Sequence, residues 1–244
     1  NTAAIWVEMP SNPKIGLVDM ESIAEIARSR DIPLIVDSTF APLFFKPLDW
    51  GATIVFRSGS KYENPGGTSL LGFAMGPKKI ISPIRNGRYE RYGAPASPMD
   101  SWLAEVGMRT LELRMRRQSD SARLIAAWLE AHPRVKRVYY PGLQSSPDYH
   151  LARKYMPEGC GAVLAFELKG GKRACERFMK SLKIFKHAIN LGDIDGPRYQ
   201  VSGRGIAWGA NPPNPSAPAN PLASIVIRSA EEARAAVREH AERG

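Results

Sequence analysis

The sequence predicts an α/β protein: a first domain built on a parallel sheet, followed by a second, α+β domain. Short, continuous apolar runs that end in polar residues are typical of strands buried in a parallel sheet. These runs alternate with segments of helical periodicity, as such a sheet requires. Further along the chain, strands and helices are separated by longer loops. We therefore expect two domains, residues 1–111 and residues 112–244.

The first domain is predicted from four apolar runs and one clear helix signal. Asp19 is a suitable helix N-cap, and apolar side chains follow it at helical spacing over residues 20–27. The predicted strands are residues 3–7, 33–37, 52–56 and 70–75.

A long helical region, residues 99–131, leads into the second domain. Five prolines between residues 210 and 221 exclude a helix or a central strand there, so this segment is predicted to be a loop or linker. The predicted strands are 135–140, 162–166 and 224–227, and the predicted helices are 171–182 and 230–242.

Composition is that of a globular protein, with 43% hydrophobic and 24% charged residues among 244. No run approaches the roughly 18 consecutive apolar residues that span a bilayer, so we expect no membrane association. Two cysteines, Cys160 and Cys175, cannot build a disulfide framework, and with four histidines they do not suggest a zinc site. A reducing, cytoplasmic setting is the simplest interpretation.

The net charge is +10, from 34 Lys and Arg against 24 Asp and Glu. Such a charge is compatible with nucleic-acid binding, with binding of phosphates or carboxylates, or with a basic surface alone. The densest basic group lies on one helical pattern without the interleaved aromatic residues of a single-strand binder. We therefore expect no nucleic-acid partner. That group consists of Arg109, Arg114, Arg116 and Arg117.

The chain starts abruptly. Asn1 is not an initiator methionine, and the first predicted strand follows it with no lead-in. We expect from this that the chain begins inside a domain.

Polar residues follow the predicted strands at the edge where open α/β sheets bind ligands. Asp37 ends the second strand, Ser58, Ser60 and Lys61 follow the third, and Asn12 lies in the loop after the first. Taken singly, Asp37 could be a helix cap or a salt-bridge partner, and Lys61 could be an ordinary solvated lysine.

Taken together, these residues suit pyridoxal phosphate. That cofactor requires a lysine for a Schiff base, an acid on its pyridine nitrogen, and donors for its phosphate. Ser58 and Ser60 flank Gly59, and two hydroxyls beside a glycine turn can form a small anion cradle. By spacing alone the pattern is only suggestive, because each part of it also occurs by chance.

Ordered blocks of sequence, however, resemble the Cys/Met-metabolism (trans-sulfuration) family of pyridoxal-phosphate enzymes. The first three blocks read Ala-Ile-Trp-Val-Glu-Met-Pro-Ser-Asn-Pro, Val-Asp-Ser-Thr-Phe-Ala and Arg-Ser-Gly-Ser-Lys-Tyr. The resemblance extends from residue 4 to about residue 196. The blocks are residues 4–13, 36–41, 57–62, 97–103, 107–115, 132–142, 161–170 and 182–185.

The resemblance implies a fold and a role for each site residue. Residues 1–111 would be the C-terminal part of a fold type I, aminotransferase-like major domain, and residues 112–244 the smaller C-terminal domain. Lys61 matches the Schiff-base lysine, which also moves protons on the substrate. Asp37 matches the acid on the pyridine nitrogen. Ser58 and Ser60 match the phosphate-binding hydroxyls, and Asn12 matches the asparagine beside the ring hydroxyl.

The sequence departs from the family pattern in the loop after Lys61 and near the C-terminus. Gly66, Gly67 and Thr68 stand where the family has His, Ser and Asp, and Asn190 stands where many members have a serine. The family's carboxylate-binding arginine has no secure counterpart. Arg228 is the nearest, although a surface salt bridge is an equal explanation for it.

Arg204 is a second, weaker counterpart of the family's carboxylate-binding arginine. The family's earlier part, with its ring-stacking tyrosine and the Tyr and Arg that reach a neighbouring subunit, cannot be placed on this sequence.

The resemblance implies an enzyme that uses pyridoxal phosphate to eliminate or replace a group at the β or γ carbon of a sulfur amino acid or homoserine ester. The alternative is a non-catalytic relative, or one half of a split assembly. Family members are usually homotetramers built as dimers of dimers, so a homo-oligomer acting on a small amino acid is expected. The sequence does not separate lyase from synthase.

Overall fold

The computed structural model describes residues 2–64, 69–89 and 95–182. Its main sheet has the strand order β1-β2-β3-β4, with β1 to β3 parallel. The strands are β1 (Ile5–Glu8), β2 (Leu34–Asp37), β3 (Ile54–Ser58) and β4 (Gly72–Met75). The α/β fold class and these four strands are confirmed, within a few residues at their ends.

The fourth strand differs from the expected parallel arrangement, because β4 runs antiparallel to β3. A parallel neighbour requires a crossover connection, usually through a helix. The connection between β3 and β4 has no helix among its described residues, and the chain returns beside β3 through turns. A run of apolar residues alone does not reveal strand direction, which is why the sequence did not predict this.

The two faces of the sheet differ in burial. Side chains alternate between faces along a strand, and one face is fully buried in the core. On the other face, Trp6 and Phe56 stack at 5.4 Å between ring centroids and remain half-buried. The ends of β2 and β3 on this second face carry Asp37 and Ser58. The buried face carries Ile5, Val7, Leu34, Val36 and Val55.

Helix α1 (Met20–Ser29) packs its apolar side chains into the same core. Asp19 is its N-cap, as predicted, and the carboxylate accepts hydrogen bonds from the Ser22 backbone and hydroxyl. The Tyr155 hydroxyl also donates to Asp19, at 2.7 Å. One carboxylate therefore starts α1 and ties it to a distant segment of the chain.

The predicted helix over 99–131 is two helices, with the break at Arg109 and Thr110. Thr110 has φ −111° and ψ 3°, outside helical values, and its N–H bonds to Gly107. Between β4 and residue 131, the structure describes α2 (Lys78–Pro83), a π-helical turn (Ile84–Tyr89), α3 (Pro98–Met108) and α4 (Leu111–Ala131).

A second, two-stranded sheet follows α4. Strands β5 (Val135–Tyr139) and β6 (Ala165–Leu168) pair antiparallel, and α5 (Tyr149–Tyr155) lies between them in the chain. Both strands were predicted, although β6 begins three residues later than expected. Tyr140, directly after β5, donates its hydroxyl to the carbonyls of Ser119 and Gly161, which fixes this sheet against α4.

The described residues up to Lys169 belong to one compact unit, and Gly170 begins a second. Within the second unit the structure describes α6 (Gly171–Ser181), which matches the predicted helix. The domain boundary near residue 112 stays a prediction. The predicted strand 224–227, the helix 230–242 and the proline-rich segment lie outside the described residues. Within the described ranges, no helix has both the length and the apolar character needed to cross a membrane.

Replacing Asp19 with alanine removes both the cap of α1 and the acceptor for Tyr155. We expect this change to destabilise the fold by about 1–2 kcal/mol, typical of a lost N-cap. In a thermal melt this corresponds to a fall in Tm of a few degrees, about 2–4 °C per kcal/mol. Glu25→Ala, at an exposed position of the same helix, is the control and should leave Tm nearly unchanged. Equal Tm values for the two variants would show that Asp19 does not hold the helix.

Candidate active site

Asp37 and Ser58 lie at the ends of neighbouring parallel strands and are joined through Thr39. The Thr39 hydroxyl donates to Asp37 Oδ1 at 2.6 Å, and its backbone N–H donates to the same oxygen at 2.9 Å. The Thr39 hydroxyl in turn accepts the Ser58 N–H at 2.9 Å. One threonine therefore fixes the orientation of the carboxylate and sets its position relative to β3.

Lys61 follows Ser58 in a tight turn. The Lys61 N–H donates to the Ser58 carbonyl at 3.2 Å, and the Asn64 N–H donates to the Gly59 carbonyl at 3.1 Å. Gly59 is needed here because a Cβ at this position would lie 2.4 Å from the Phe73 ring. Within the described part of the chain, the Lys61 ammonium makes no hydrogen bond or ion pair, so it remains available to a ligand.

Ser60 does not have a free hydroxyl. It is buried, accepts the Leu71 N–H at 2.9 Å and donates to the Leu71 carbonyl at 3.3 Å. This hydroxyl therefore links the Lys61 turn to the segment that leads into β4. In contrast, the Ser58 hydroxyl has no partner among the residues that the structure describes.

Asn12 is connected to the site through Glu8. Glu8 ends β1 and is the register partner of Asp37 on β2. Burial raises the pKa of the Glu8 carboxyl, the Asn12 N–H that it accepts opposes this, and the nearby Asp37 charge raises it further. The Asn12 backbone, Glu8 and Asp37 thus lie side by side along the edge of the sheet.

Arg114 on α4 holds the Lys61 turn from the opposite side. Its guanidinium donates to the Tyr62 carbonyl at 2.8 Å and to the Gly107 carbonyl at 2.8 Å, and Nε donates to the Thr110 hydroxyl. Tyr62 itself is largely buried, and burial together with the nearby Glu63 charge raises its pKa to about 12. Arg114 was predicted only as part of a basic helical group, so its structural role was missed.

Two further charged residues were also missed, Arg57 and Glu63. They form a buried ion pair, with Arg57 Nη1 3.8 Å from Glu63 Oε1. Burial raises the pKa of Glu63, against the attraction of Arg57 and Arg114, and burial lowers the pKa of Arg57. No short motif marks such a pair, because its members come from a strand and from a turn whose relative position only the fold determines.

The structure thus places five predicted site residues along one edge of the sheet. Asp37, Ser58 and Lys61 are connected through Thr39 and the turn, Ser60 is tied to Leu71, and Asn12 lies on the other side of Glu8. The predicted substrate-binding Arg228, and the loop residues 66–68 and 190–192, lie outside the described residues. Two surface cavities of about 230 and 270 Å³ are lined by other residues.

The donor set fits pyridoxal phosphate in chemical type. An oriented carboxylate suits a protonated pyridine nitrogen, an unpaired lysine amine suits an aldehyde, and a free hydroxyl beside a glycine turn suits a phosphate. Within the described residues, no cluster of His, Cys, Asp and Glu is arranged to hold a metal ion. The carboxylate, amine and hydroxyl are the types of group that an organic cofactor with an aldehyde and an anionic group would need.

Comparison with known proteins agrees with this interpretation. L-methionine gamma-lyase of Porphyromonas gingivalis is 38% identical over 198 residues, 80% of this chain and 49% of that protein. O-succinylhomoserine sulfhydrylase of Pseudomonas aeruginosa is 39% identical over 198 residues, 79% of this chain and 48% of that protein. The chain spans about half the length of these curated relatives.

A solved structure is similar over the same part of the chain. It is the cystathionine gamma synthase of Xanthomonas oryzae pv. oryzae, in complex with aminoacrylate and cysteine. Its TM-score is 0.73 at 34% identity, covering 79% of this chain and 50% of that one. The model of the Cys/Met metabolism PLP-dependent enzyme family matches residues 1–196. Because this match covers most of the sequence, the chain belongs to the Cys/Met metabolism family of PLP-dependent enzymes.

Proposed function

We propose that the complete protein is a pyridoxal-phosphate enzyme that eliminates or replaces a substituent at the β or γ carbon of a sulfur amino acid or homoserine ester. One observation carries the proposal: Asp37, Ser58 and Lys61 lie at the same end of neighbouring strands, and Asp37 Oδ2, the Ser58 hydroxyl and the Lys61 ammonium have no partner within the described part of the chain. Relatives that act as methionine γ-lyase, cystathionine β-lyase and O-succinylhomoserine sulfhydrylase support the substrate class.

Lys61 is the proposed point of covalent attachment. Its amine would condense with the aldehyde of the cofactor, with loss of one water molecule, and the cofactor when bound supplies an electron sink for a substrate carbanion. Once the amino group of the substrate has replaced it, the Lys61 amine is free to take the proton from the substrate's α carbon. A β substituent would then leave with the electron pair of its own bond to carbon, while the pair from the broken Cα–H bond forms the new double bond. For a γ substituent, the same amine would first also have to take a proton from the β carbon.

Asp37 is the proposed partner of the pyridine nitrogen. Thr39 donates twice to Oδ1, whereas Oδ2 has no hydrogen-bond partner in the described part of the chain. A carboxylate held in this way can keep a pyridine nitrogen protonated without having to reorient, because its position is already fixed.

Four further roles are proposed. The Ser58 hydroxyl and the backbone N–H groups of the turn would bind the phosphate, and Asn12 would lie beside the ring hydroxyl. Ser60 would join the phosphate site only by exchanging its bond to the Leu71 carbonyl, since its single proton is already donated there. Arg228 would bind the substrate carboxylate.

The assembly and setting of the protein are also proposals. We propose a homo-oligomer, a dimer of dimers, because the family's members are usually built that way. A cytoplasmic location agrees with a chain that has two cysteines and no disulfide framework. Size-exclusion chromatography with light scattering on the complete protein would test the first of these.

Replacing Lys61 with alanine should abolish covalent capture of the cofactor. We expect reduction with borohydride to fix pyridoxal phosphate on Lys61 of the complete wild-type protein, detected by peptide mass spectrometry. Elimination activity in the variant should fall by roughly 100-fold or more, as for the loss of a catalytic acid–base group. Lys46→Ala, which removes an exposed lysine of the same domain, is the control.

Two results would decide against the proposal. Label on another lysine in the wild type would refute the assignment of Lys61. A wild-type protein that captures no cofactor, while remaining folded, would favour the non-catalytic alternative.

Replacing Thr39 with valine should weaken both the fold and cofactor binding. Valine has the same shape but leaves the Ser58 N–H without an acceptor, a loss of about 1–3 kcal/mol. It also frees Asp37 to rotate, so we expect about tenfold weaker binding of pyridoxal phosphate in a titration of the cofactor-free protein. Thr39→Ser keeps the hydroxyl and should restore both properties. Wild-type affinity in the valine variant would show that Thr39 does not orient Asp37.

A further inference from the structure

A buried ion pair lies directly behind the candidate site and takes no part in the roles proposed above. The side chains of Arg57 and Glu63 are only 15% and 4% exposed. Removing two charges from water is costly, and buried pairs often contribute no net stability compared with apolar residues of similar size. A pair in this place is therefore better explained by the geometry that it imposes than by the stability that it adds.

Arg57 connects this pair to the turn that follows β2. Its Nε donates to the Ser38 hydroxyl at 2.9 Å, and Nη2 donates to the Phe45 carbonyl at 3.4 Å. Ser38 is the residue after Asp37. Because side chains alternate along a strand, Arg57 lies on the face of the sheet opposite to Ser58. The guanidinium is therefore held on the buried side of the turn that follows Asp37, residues 38–41, which we call the Asp37 turn.

Glu63 connects the pair to the turn that carries Lys61. It lies two residues after Lys61, inside the turn closed by the bond from the Asn64 N–H to the Gly59 carbonyl. Arg114 attracts the same carboxylate from α4. The Glu63 carboxylate is thus the place where the Lys61 turn meets charges from β3 and from α4.

We propose that the Arg57–Glu63 ion pair holds the Lys61 turn in a fixed position relative to the Asp37 turn, which makes Glu63 a positioning residue for Lys61. The inference rests on the proposed function, because that function requires Lys61 and Asp37 to reach the two ends of one cofactor. The pair would act from the buried side of the sheet, opposite to the face that carries Asp37 and Ser58.

The two partners depend on the pair unequally. Arg57 keeps its bonds to Ser38 and Phe45 when Glu63 is changed, and the charge of Asp37 is also nearby. Glu63 has less support: its Oε2 is buried without a hydrogen-bond partner in the part of the chain that the structure describes, and without Arg57 the carboxylate keeps its own backbone N–H and the attraction of Arg114. Loss of Arg57 therefore leaves a buried carboxylate without its ion-pair partner, whereas loss of the Glu63 charge leaves a guanidinium that is still hydrogen-bonded.

Thermal melts of the complete protein test the pair itself. We expect Arg57→Met to lower Tm by at least about 5 °C, and Glu63→Gln to change it by no more than about 2 °C. The double variant should recover most of the loss caused by Arg57→Met. The control is the pair between Glu105 on α3 and Arg109 just after it, which is closer, at 3.0 Å, but 63% and 69% exposed. Glu105→Gln, Arg109→Met and their double variant should each leave Tm nearly unchanged.

Two readouts test positioning separately from stability. Hydrogen exchange of the Lys61 and Asn64 amides, which close the turn, should be at least about tenfold faster in Glu63→Gln and in the double variant. Borohydride trapping should find at least about tenfold less pyridoxal phosphate on Lys61 in the same two variants at limiting cofactor. Both changes should persist in the double variant although its Tm recovers, which a merely structural role does not predict.

The pH dependence gives a further check. Glu63 faces Arg57 from β3, Arg114 from α4 and Tyr62 in its own turn. Because burial raises its pKa above the usual 4.5, its contribution to stability is complete below that value and is lost as pH rises through the raised pKa. Without Arg57, whose charge lowers the pKa of Glu63, the loss of stability with rising pH should be greater. The Tm deficit of Arg57→Met should therefore be larger at about pH 8 than at about pH 5.

Three outcomes would overturn the inference. The first is a double variant no more stable than Arg57→Met, which would mean that the charges are not coupled. The second is unchanged amide exchange in Glu63→Gln, which would mean that the turn does not need the pair. The third is a double variant in which the exchange rates of the Lys61 and Asn64 amides return to wild-type values together with Tm. If the wild type captures no cofactor, the proposed function fails, while the melts and amide exchange still decide the inference.

Discussion

The parallel register between β2 and β3 is the constraint on which the candidate site depends. It pairs Asp37 with Phe56, so that β2 ends two residues before β3 does. Thr39, just beyond the end of β2, therefore reaches Ser58 and accepts its N–H, while its own hydroxyl donates to Asp37. A slip of one residue would turn Asp37 to the buried face and separate it from Ser58. Burial of Val36 and Val55 on the opposite face makes such a slip costly.

The sheet carries different chemistry on its two faces at this edge. Asp37 and Ser58 lie on the half-buried face, where polar atoms remain available to a ligand. Arg57 lies on the other face, where its charge is compensated by Glu63 and by neutral oxygens. The Arg57–Glu63 charges thus lie on the opposite face from the groups that would contact a cofactor, although the charge of Asp37 still acts on Arg57 across the sheet.

Local signals predicted much of this arrangement, and non-local contacts account for what was missed. The Asp19 cap, three parallel strands and the run from Ser58 to Lys61 follow from spacing and residue type. The reversal of β4, the break at Thr110 and the bond from Arg114 to Tyr62 do not, because each depends on where a distant segment packs. Ser60 makes another contact that spacing does not reveal: its hydroxyl bonds to Leu71, while its role at the phosphate stays a prediction.

The Lys61 turn is a loop in sequence but is held from three directions. The Phe73 ring lies against Gly59, Arg114 binds the Tyr62 carbonyl from a position 52 residues away, and Glu63 meets the charge of Arg57. The catalytic role proposed for Lys61 would need such support, since a displacement of about 1 Å can cost two orders of magnitude in rate. The loop that follows differs from the family pattern, but none of these three supports comes from its altered residues. The departure from the family pattern at residues 66–68 therefore removes none of these three supports of the Lys61 turn.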